Sequence, residues 1–533
     1  MSIANTSLRS ALALLGSMFG CLAVAAQQVV NVSTAAELID AVSTGQPFDT
    51  VMLAAGTYEL NSPLQPPQGM TIAGDGAAST FIRSAPGWVV GTAGLPDNPV
   101  DHTSVDRNAY LIDVGTRTDD ITIEGITLSA PDLHGAVYGN NCDRITIREC
   151  IFDDFLWSAV RLFRVDDGRI HDNEFIDAGG RSAITTGQTG GALFLTFTNT
   201  TDIWNNRFTK TPDHPGNFFG IKGRNGADVR IFNNTINVSF SIEFPFENER
   251  NFEIFANYLA GVVSIPKFAG GPDRDIGESF VIRNNYFSRS YSIEGPRNGL
   301  LIESNLFDFS TTDDGGNLIA SFGNNNSPVA PGPTVFRGNN VKNPGRGLFW
   351  SAPIYNAVQF SNNHIITNTT VTPRSEGLFG FKLSANNSGD VPDLSSLQIT
   401  DNIIEMNGLS RPLIRNGGSA DISAITIENN SLVNVADAGS YANTDTGAPR
   451  GPLVPLRFFV GVGDEFLVDG FSIEPSPSGC QADVNGDGDA TPADFNAWVI
   501  TFNGQLPACD QNSDSACTPA DFNAWVVNFN AGC

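Results

Sequence analysis

The sequence predicts an all-β chain wound as a right-handed parallel β-helix, followed by a small α-helical, EF-hand-like module. Three observations predict this. A short unit recurs: a β-branched or aromatic strand, a polar pair ending in Asn, then another apolar residue. It begins as Arg169-Ile170-His171-Asp172-Asn173, and the Asn recurs at 206, 234, 257, 285, 305, 339, 363, 402 and 430, with gaps of 20 to 39 residues. Long helical patterns are absent through this region. Two copies of an acidic loop then close the sequence, 27 residues apart.

The recurrent unit has a direct physical reading. Strands of three to five residues cannot bury their apolar side chains alone, whereas parallel copies stacked on one another bury a continuous core. Asn suits the turn between strands because its amide bonds backbone groups and tolerates left-handed backbone angles. Asn residues in register also hydrogen-bond along the stack. The segments ending in Gly125 and Cys150 look like earlier coils in which the Asn is replaced. Propellers and leucine-rich repeats fit less well, because the repeat is poor in Leu and irregular in length.

Before the repeat, Arg9 and the apolar run Ala11–Ala26, ending in Ala23-Val24-Ala25-Ala26, read as a secretory signal over residues 1–26. No later segment offers the roughly 20 uninterrupted apolar residues that span a bilayer. A secreted or cell-surface protein without a membrane span is therefore expected, and a monomer. The β-helix is assigned to residues 27–474, the Pro/Ser-rich linker to 475–479 and the tail module to 480–533. Ala35–Val42 reads as a short amphipathic helix capping the first coil, and residues 87–109 interrupt the repeat as a long loop. Asp49-Thr50-Val51-Met52-Leu53-Ala54-Ala55-Gly56-Thr57-Tyr58 opens the solenoid and resembles the start of pectate-lyase-like chains.

A formal charge of −27 argues against nucleic acid as a partner and places any anion site in a local basic patch. The tail carries oxygen ligands at positions 1, 3, 5 and 12 of each loop: Asp483, Asn485, Asp487 and Asp494, then Asp510, Asn512, Asp514 and Asp521. Each loop leads into an apolar stripe at helical spacing, Phe495, Trp498, Val499 and Phe502, then Phe522, Trp525, Val526 and Phe529. This pattern resembles type I dockerin modules, with Ser515 where the first loop has Gly488. The resemblance implies two calcium ions and a cohesin-like or cell-surface partner. Disulfides Cys480–Cys509 and Cys517–Cys533 are expected in the tail, and free buried thiols at Cys142 and Cys150.

Aligning coils by their Asn brings Ala159-Val160-Arg161, Gly220-Ile221-Lys222, Ser241-Ile242-Glu243 and Ser292-Ile293-Glu294 onto one strand face. With the aliphatic residue inward, the charged one points out. The expected outward column is Arg161, Lys222 with Arg224, Glu243, Lys267 and Glu294, with His214 just before it and Phe218 and Phe219 as sugar-stacking surface. A salt-bridged outer face would have the same composition. Yet Lys and Arg total only 30, and several converge here.

The stretch from Gly220 through Phe240-Ser241-Ile242-Glu243-Phe244-Pro245-Phe246-Glu247-Asn248 to Lys267-Phe268-Ala269-Gly270-Gly271 resembles β-helical alginate lyases of polysaccharide lyase family 31. The resemblance implies an acidic, uronate-rich polysaccharide as substrate, cleavage by β-elimination, and Lys222 as a catalytic residue; it does not place a tyrosine partner. In such a reaction Arg224 or Arg161 stabilises charge developing on the uronate carboxylate. A lysine among other cations serves as base and His214 as proton donor, or the roles are exchanged. Arg161, Lys267, Glu294 and Phe219 are the expected substrate-binding residues, and Glu243 joins the catalytic set. A glycoside hydrolase using pairs such as Asp166-Asp167, or a non-catalytic carbohydrate-binding surface protein, are the alternatives.

Overall fold

A computed structural model describes residues 27–433, apart from connecting segments of which the longest are 91–104, 181–190, 266–279, 323–332, 368–378 and 382–396. In the tail it describes most of 492–503 and 509–531. The proposed signal, the linker, Lys267, and the loop residues Asp483, Asn485, Asp487, Asp510 and Asp514 lie outside the described residues.

Among the described residues the strands form three sheets of 15, 14 and 12, here sheets A, B and C, and a full coil contributes one short strand to each. One coil shows the plan: Thr122–Glu124 lies in sheet A, Thr127–Ser129 in sheet B and Gly135–Asn140 in sheet C. The next coil places Thr146–Arg148 on the first of these, in parallel register. The alternation Thr146–Ile147–Arg148 buries only Ile147, because successive side chains leave opposite faces of a strand. Stacking then lines the interior with like residues, as in the parallel rings Phe152, Phe175 and Phe208, whose centroids are 4.7 and 4.5 Å apart.

The first coil is closed as the sequence predicts. Helix α1, Ala35–Thr44, starts in a capping box in which Thr34 Oγ1 accepts from Glu37 N and the Glu37 carboxylate accepts from Thr34 N. Leu38, Ala41 and Val42 turn into the core. Tyr58 of the opening segment is buried, and its hydroxyl donates to the carbonyls of Val32 and Ala54, both at 2.9 Å. Part of the predicted interruption at 87–109 is described: Trp88 packs against the core, and a short 3-10 turn, Arg107–Ala109, leads into the first sheet-C strand.

The turn between sheets A and B carries the Asn ladder. Asn206 N and Nδ2 both donate to Asn234 Oδ1 at 3.0 Å, and the same Nδ2 reaches Ile170 O at 2.9 Å. Asn257, Asn285, Asn305, Asn339 and Asn363 repeat the pattern, and all are buried. The left-handed residue is the one before the ladder Asn, as at Asn205, Asn233 and Asn284, with φ of 53° to 55°. The two halves of the polar pair thus have separate tasks: the first makes the turn and the second bonds the stack. Cys150 occupies the ladder position one coil before Asn173. Its N donates to Asn173 Oδ1 at 3.0 Å, and its thiol points to Ile123 O at 3.7 Å. Cys142 and Cys150 are free and buried, and burial pushes both thiols up to about 12.

In the tail, helices α2, Pro492–Asn503, and α3, Pro519–Ala531, follow the predicted stripes. Phe495 and Trp498 meet Phe522 across the pair, and Phe495 also meets Trp525. The two repeats exchange hydrogen bonds: Trp498 Nε1 donates to Cys509 O at 3.1 Å and Trp525 Nε1 to Ala482 O at 3.2 Å. The acceptors, like the donors, are 27 residues apart, so the halves are related by a pseudo-dyad. The expected disulfides are corrected by a bond between Cys509 and Cys517. Those cysteines lie within one repeat, eight residues apart, where their Cα atoms approach to 5.6 Å.

Candidate functional site

The outer face of sheet C carries the predicted cations, in a register the sequence gives only in part. Val160, Leu193 and Ile221 pair in turn and face the core, so Arg161, Phe194 and Lys222 pair in turn on the outside. This puts Arg161 and Lys222 on one line, as expected, with an unexpected aromatic rung between them. Each of the three exposes only 4% of its surface. The Arg161 guanidinium carbon lies 5.4 Å from the Phe194 ring centre, and Lys222 Nζ lies 5.7 Å from the same ring and 5.2 Å from that of Phe219. A cation over a ring face is held by the ring quadrupole, and more strongly when little water competes.

The expected step from Lys222 to Glu243 is corrected, since Glu243 follows Arg224 in the column and not Lys222. Register shifts between Phe219 and Lys222, so Lys222 pairs with Ser241, and Glu243 pairs with Arg224. Equating "small–aliphatic–charged" triplets misses this shift, because the bulge changes the residue count without changing the triplet. Glu294 pairs with Ala320, and the Lys222 line continues instead through Ser264 and Ser292. In the other direction it runs through Tyr138 to Asp113. Tyr138 and Asp113 are buried, and Asp113 is held by Arg107 at 2.7 Å. Over the first eight strands of sheet C the line reads Asp113, Tyr138, Arg161, Phe194, Lys222, Ser241, Ser264, Ser292.

His214 is buried, its ring edge-on to Phe218 with centroids 5.5 Å apart. Phe218 is itself a core residue. Through the adjacent Phe219, half-buried under Lys222, the segment carrying His214 is tied to the cation line. Arg224 is half-buried two residues beyond Lys222, on the same side of the strand. The structure therefore brings Arg161, Lys222, Arg224 and Phe219 onto one face, while the described ring contact of His214 is with the core residue Phe218. Sequence reasoning missed Phe194, Tyr138 and Asp113. The Tyr and Asp precede the first ladder Asn, so the marker used to align coils does not reach them.

Of the loop ligands in the tail, Asp494 and Asp521 are fully buried in the first turns of α2 and α3, and Asn512 is exposed. Burial pushes the Asp521 carboxyl up, but the bonds it accepts from Thr518, Asn512 and Gln511 outweigh this and hold it below its ordinary value. It is an anion that both caps α3 and gathers the end of the second loop. Among the described residues, no group of three or more His, Cys, Asp or Glu is placed to hold a metal. No described helix is long and apolar enough to cross a membrane.

No family model matches this chain, and no curated protein matches it. Similar solved structures include the surface adhesin PfbA of Streptococcus pneumoniae, 14% identical over 76% of this chain and 94% of that one, TM-score 0.39. An alginate lyase from a Paenibacillus species is 14% identical over 66% of this chain and 99% of its own, TM-score 0.30. The A-module of a mannuronan C-5 epimerase from Azotobacter vinelandii is 14% identical over 78% and 98%, TM-score 0.33. The reading of the site rests on this chain's own residues.

Proposed function

We propose that this chain is a secreted polysaccharide lyase that cleaves an acidic, uronate-containing glycan by β-elimination on the outer face of sheet C. The observation that carries the reading is the line of Arg161, Phe194 and Lys222, where an acidic chain holds two buried cations against one ring. Fixed cations in a site poor in water stabilise a uronate carboxylate most when charge builds on it, as it does once the C5 proton leaves. Lys222 and His214 divide the proton work. One removes the C5 proton, the C4–O4 bond breaks as the C4–C5 double bond forms, and the other protonates O4. Arg224 and Arg161 face the carboxylate. Phe219 and the serine rungs Ser241 and Ser264 supply surface and hydroxyls for the sugars on either side.

The tail fits a calcium role in its chemistry. Its donors are carboxylate and amide oxygens, and Asp521 is a buried anion at a loop end. Asp494, Asn512 and Asp521, with the loop residues at 483, 485, 487, 510 and 514, would hold two ions, and the ions would order the loops for a cohesin-like or cell-surface partner. Circular dichroism tests this: helicity should rise with calcium and fall with chelator, and a spectrum indifferent to both ends the proposal.

The chemical reading is tested by incubating the full chain with a panel of uronate polysaccharides. Ultraviolet absorbance from the unsaturated uronate is the expected product signal. New reducing ends without that absorbance would mean hydrolysis instead, and binding without either would mean a surface adhesin.

A further inference from the structure

We infer that Phe194 and its two cations act as a ruler that reads carboxylates on alternate sugars of one glycan chain. The inference rests on the proposed acidic-glycan site and adds to it a selectivity for the spacing of charge.

Arg161, Phe194 and Lys222 stand on three successive rungs, so the two cations project from strands two spacings apart, about 10 Å. Both contact the same ring, Arg161 at 5.4 Å and Lys222 at 5.7 Å. Like charges on neighbouring coils repel. Here an aromatic rung keeps them apart, and each is drawn toward the ring rather than toward the other. Burial removes most of the freedom that long cationic side chains keep on an open surface, so the spacing is fixed before any ligand arrives.

A glycan running along the solenoid crosses one rung for roughly each sugar. In an extended, diequatorially 1,4-linked uronate chain, successive carboxylates turn to opposite sides. Those on one side recur at every second sugar and fall opposite Arg161 and Lys222, while the sugar between them crosses the Phe194 rung. Phe194 is thus a positioning residue. It acts on the glycan through the two cations, and its removal should disturb spacing before it disturbs chemistry.

The test measures affinity against chain length for 1,4-linked mannuronate oligosaccharides of two to five sugars. Calorimetry on the full chain carrying His214→Ala suppresses turnover during the measurement. Affinity should step up by about tenfold or more between the disaccharide and the trisaccharide, the gain expected from engaging a second charge-assisted contact. Phe194→Leu should erase the step, and Phe194→Tyr should restore it. In the otherwise native chain, Phe194→Leu should raise KM for the trisaccharide and leave KM for the disaccharide nearly unchanged. A smooth rise of affinity with length, or a step that survives Phe194→Leu, overturns the ruler and leaves the lyase reading standing. If no uronate chain of any length binds, both fall together.

Discussion

The outer faces of sheets A and C are built from the same strand geometry and treat positive charge in opposite ways. On sheet A, arginines are paired across coils with carboxylates: Arg148 with Glu124, Arg230 with Asp202, Arg283 with Glu253 and Arg337 with Glu303. Their side chains stay a third to a half exposed. Such pairs sit in high dielectric, lose side-chain entropy on forming, and contribute about 0–1 kcal/mol each. On sheet C, Arg161 and Lys222 are buried and stacked on Phe194. Burying a charge costs far more than leaving it at a wet surface. The solenoid has a cheap way to carry cations and uses it along sheet A. On sheet C the cations are instead buried against an aromatic rung, the feature on which the proposed site rests.

The largest effect should separate the faces outright. Lys222→Ala is expected to lower kcat for uronate elimination by about 100- to 10,000-fold, the usual contribution of a group that moves a proton in the transition state. The fold should survive, as read by far-ultraviolet circular dichroism. Arg337→Ala on sheet A should leave kcat untouched. Near-normal turnover in Lys222→Ala would remove the site assignment and leave the β-helix intact. Glu243→Gln sharpens the result, because Glu243 pairs with Arg224 rather than Lys222. A partial loss, smaller than that of Lys222→Ala, is expected if Glu243 neutralises or orients the arginine. Complete loss, with Lys222→Ala still active, would mark Glu243 as a hydrolytic acid.

An intermediate effect belongs to the ladder that serves both faces. Asn257 Oδ1 accepts from Asn234 N and Nδ2, and its own Nδ2 reaches Asn285 Oδ1 and Ile231 O. Asn257→Ala takes the acceptor from the buried Asn234 N and a donor from Ile231 O, at about 1–3 kcal/mol for each group left unsatisfied. Urea unfolding should show a clear fall in midpoint while KM and kcat at the remaining folded protein hold steady. An unchanged midpoint would mean that the ladder follows from stacking and does not support it.

How far the sequence carried these readings depends on what each needed. The Asn ladder was legible because one residue type performs one local task in coil after coil, and Asn206, Asn234, Asn257 and Asn285 stack as their spacing implied. The line through Arg161 and Lys222 was legible for the same reason, since both lie twelve residues before a ladder Asn. Glu243 was misplaced because a bulge between Phe219 and Lys222 moves register without leaving a composition signal. Phe194 was overlooked because a phenylalanine in a strand reads as core until its parity is fixed by Leu193 and Leu195, which face inward. The Cys509–Cys517 bond was missed because the approach of the two ends of a loop is a tertiary fact that spacing does not encode.

The smallest effect tests an exposed ion pair in the turns that lead into sheet A, between Arg144 and Asp120. Arg144 Nε donates to Asp120 Oδ1, and its Nη2 donates to Asp120 Oδ2 at 3.0 Å. This bond from Arg144 is the main reason the Asp120 carboxyl is held below its ordinary value, with the Arg144 charge assisting against a modest desolvation. The sign follows from linkage. A carboxylate with a lowered folded pKa contributes stability above its unfolded pKa, and that contribution is lost as pH falls through the folded value. Arg144→Ala should therefore raise the titration midpoint of Asp120 toward the usual carboxylate range in a carbon-detected NMR titration. Its stability difference from the native chain should be small at neutral pH, vanish once the Asp120 carboxyl is protonated, and shrink with added salt. An Asp120 midpoint that ignores Arg144→Ala would show that neighbours other than Arg144 set its charge. A stability loss as large as that of Asn257→Ala would show that the paired face holds the coils after all.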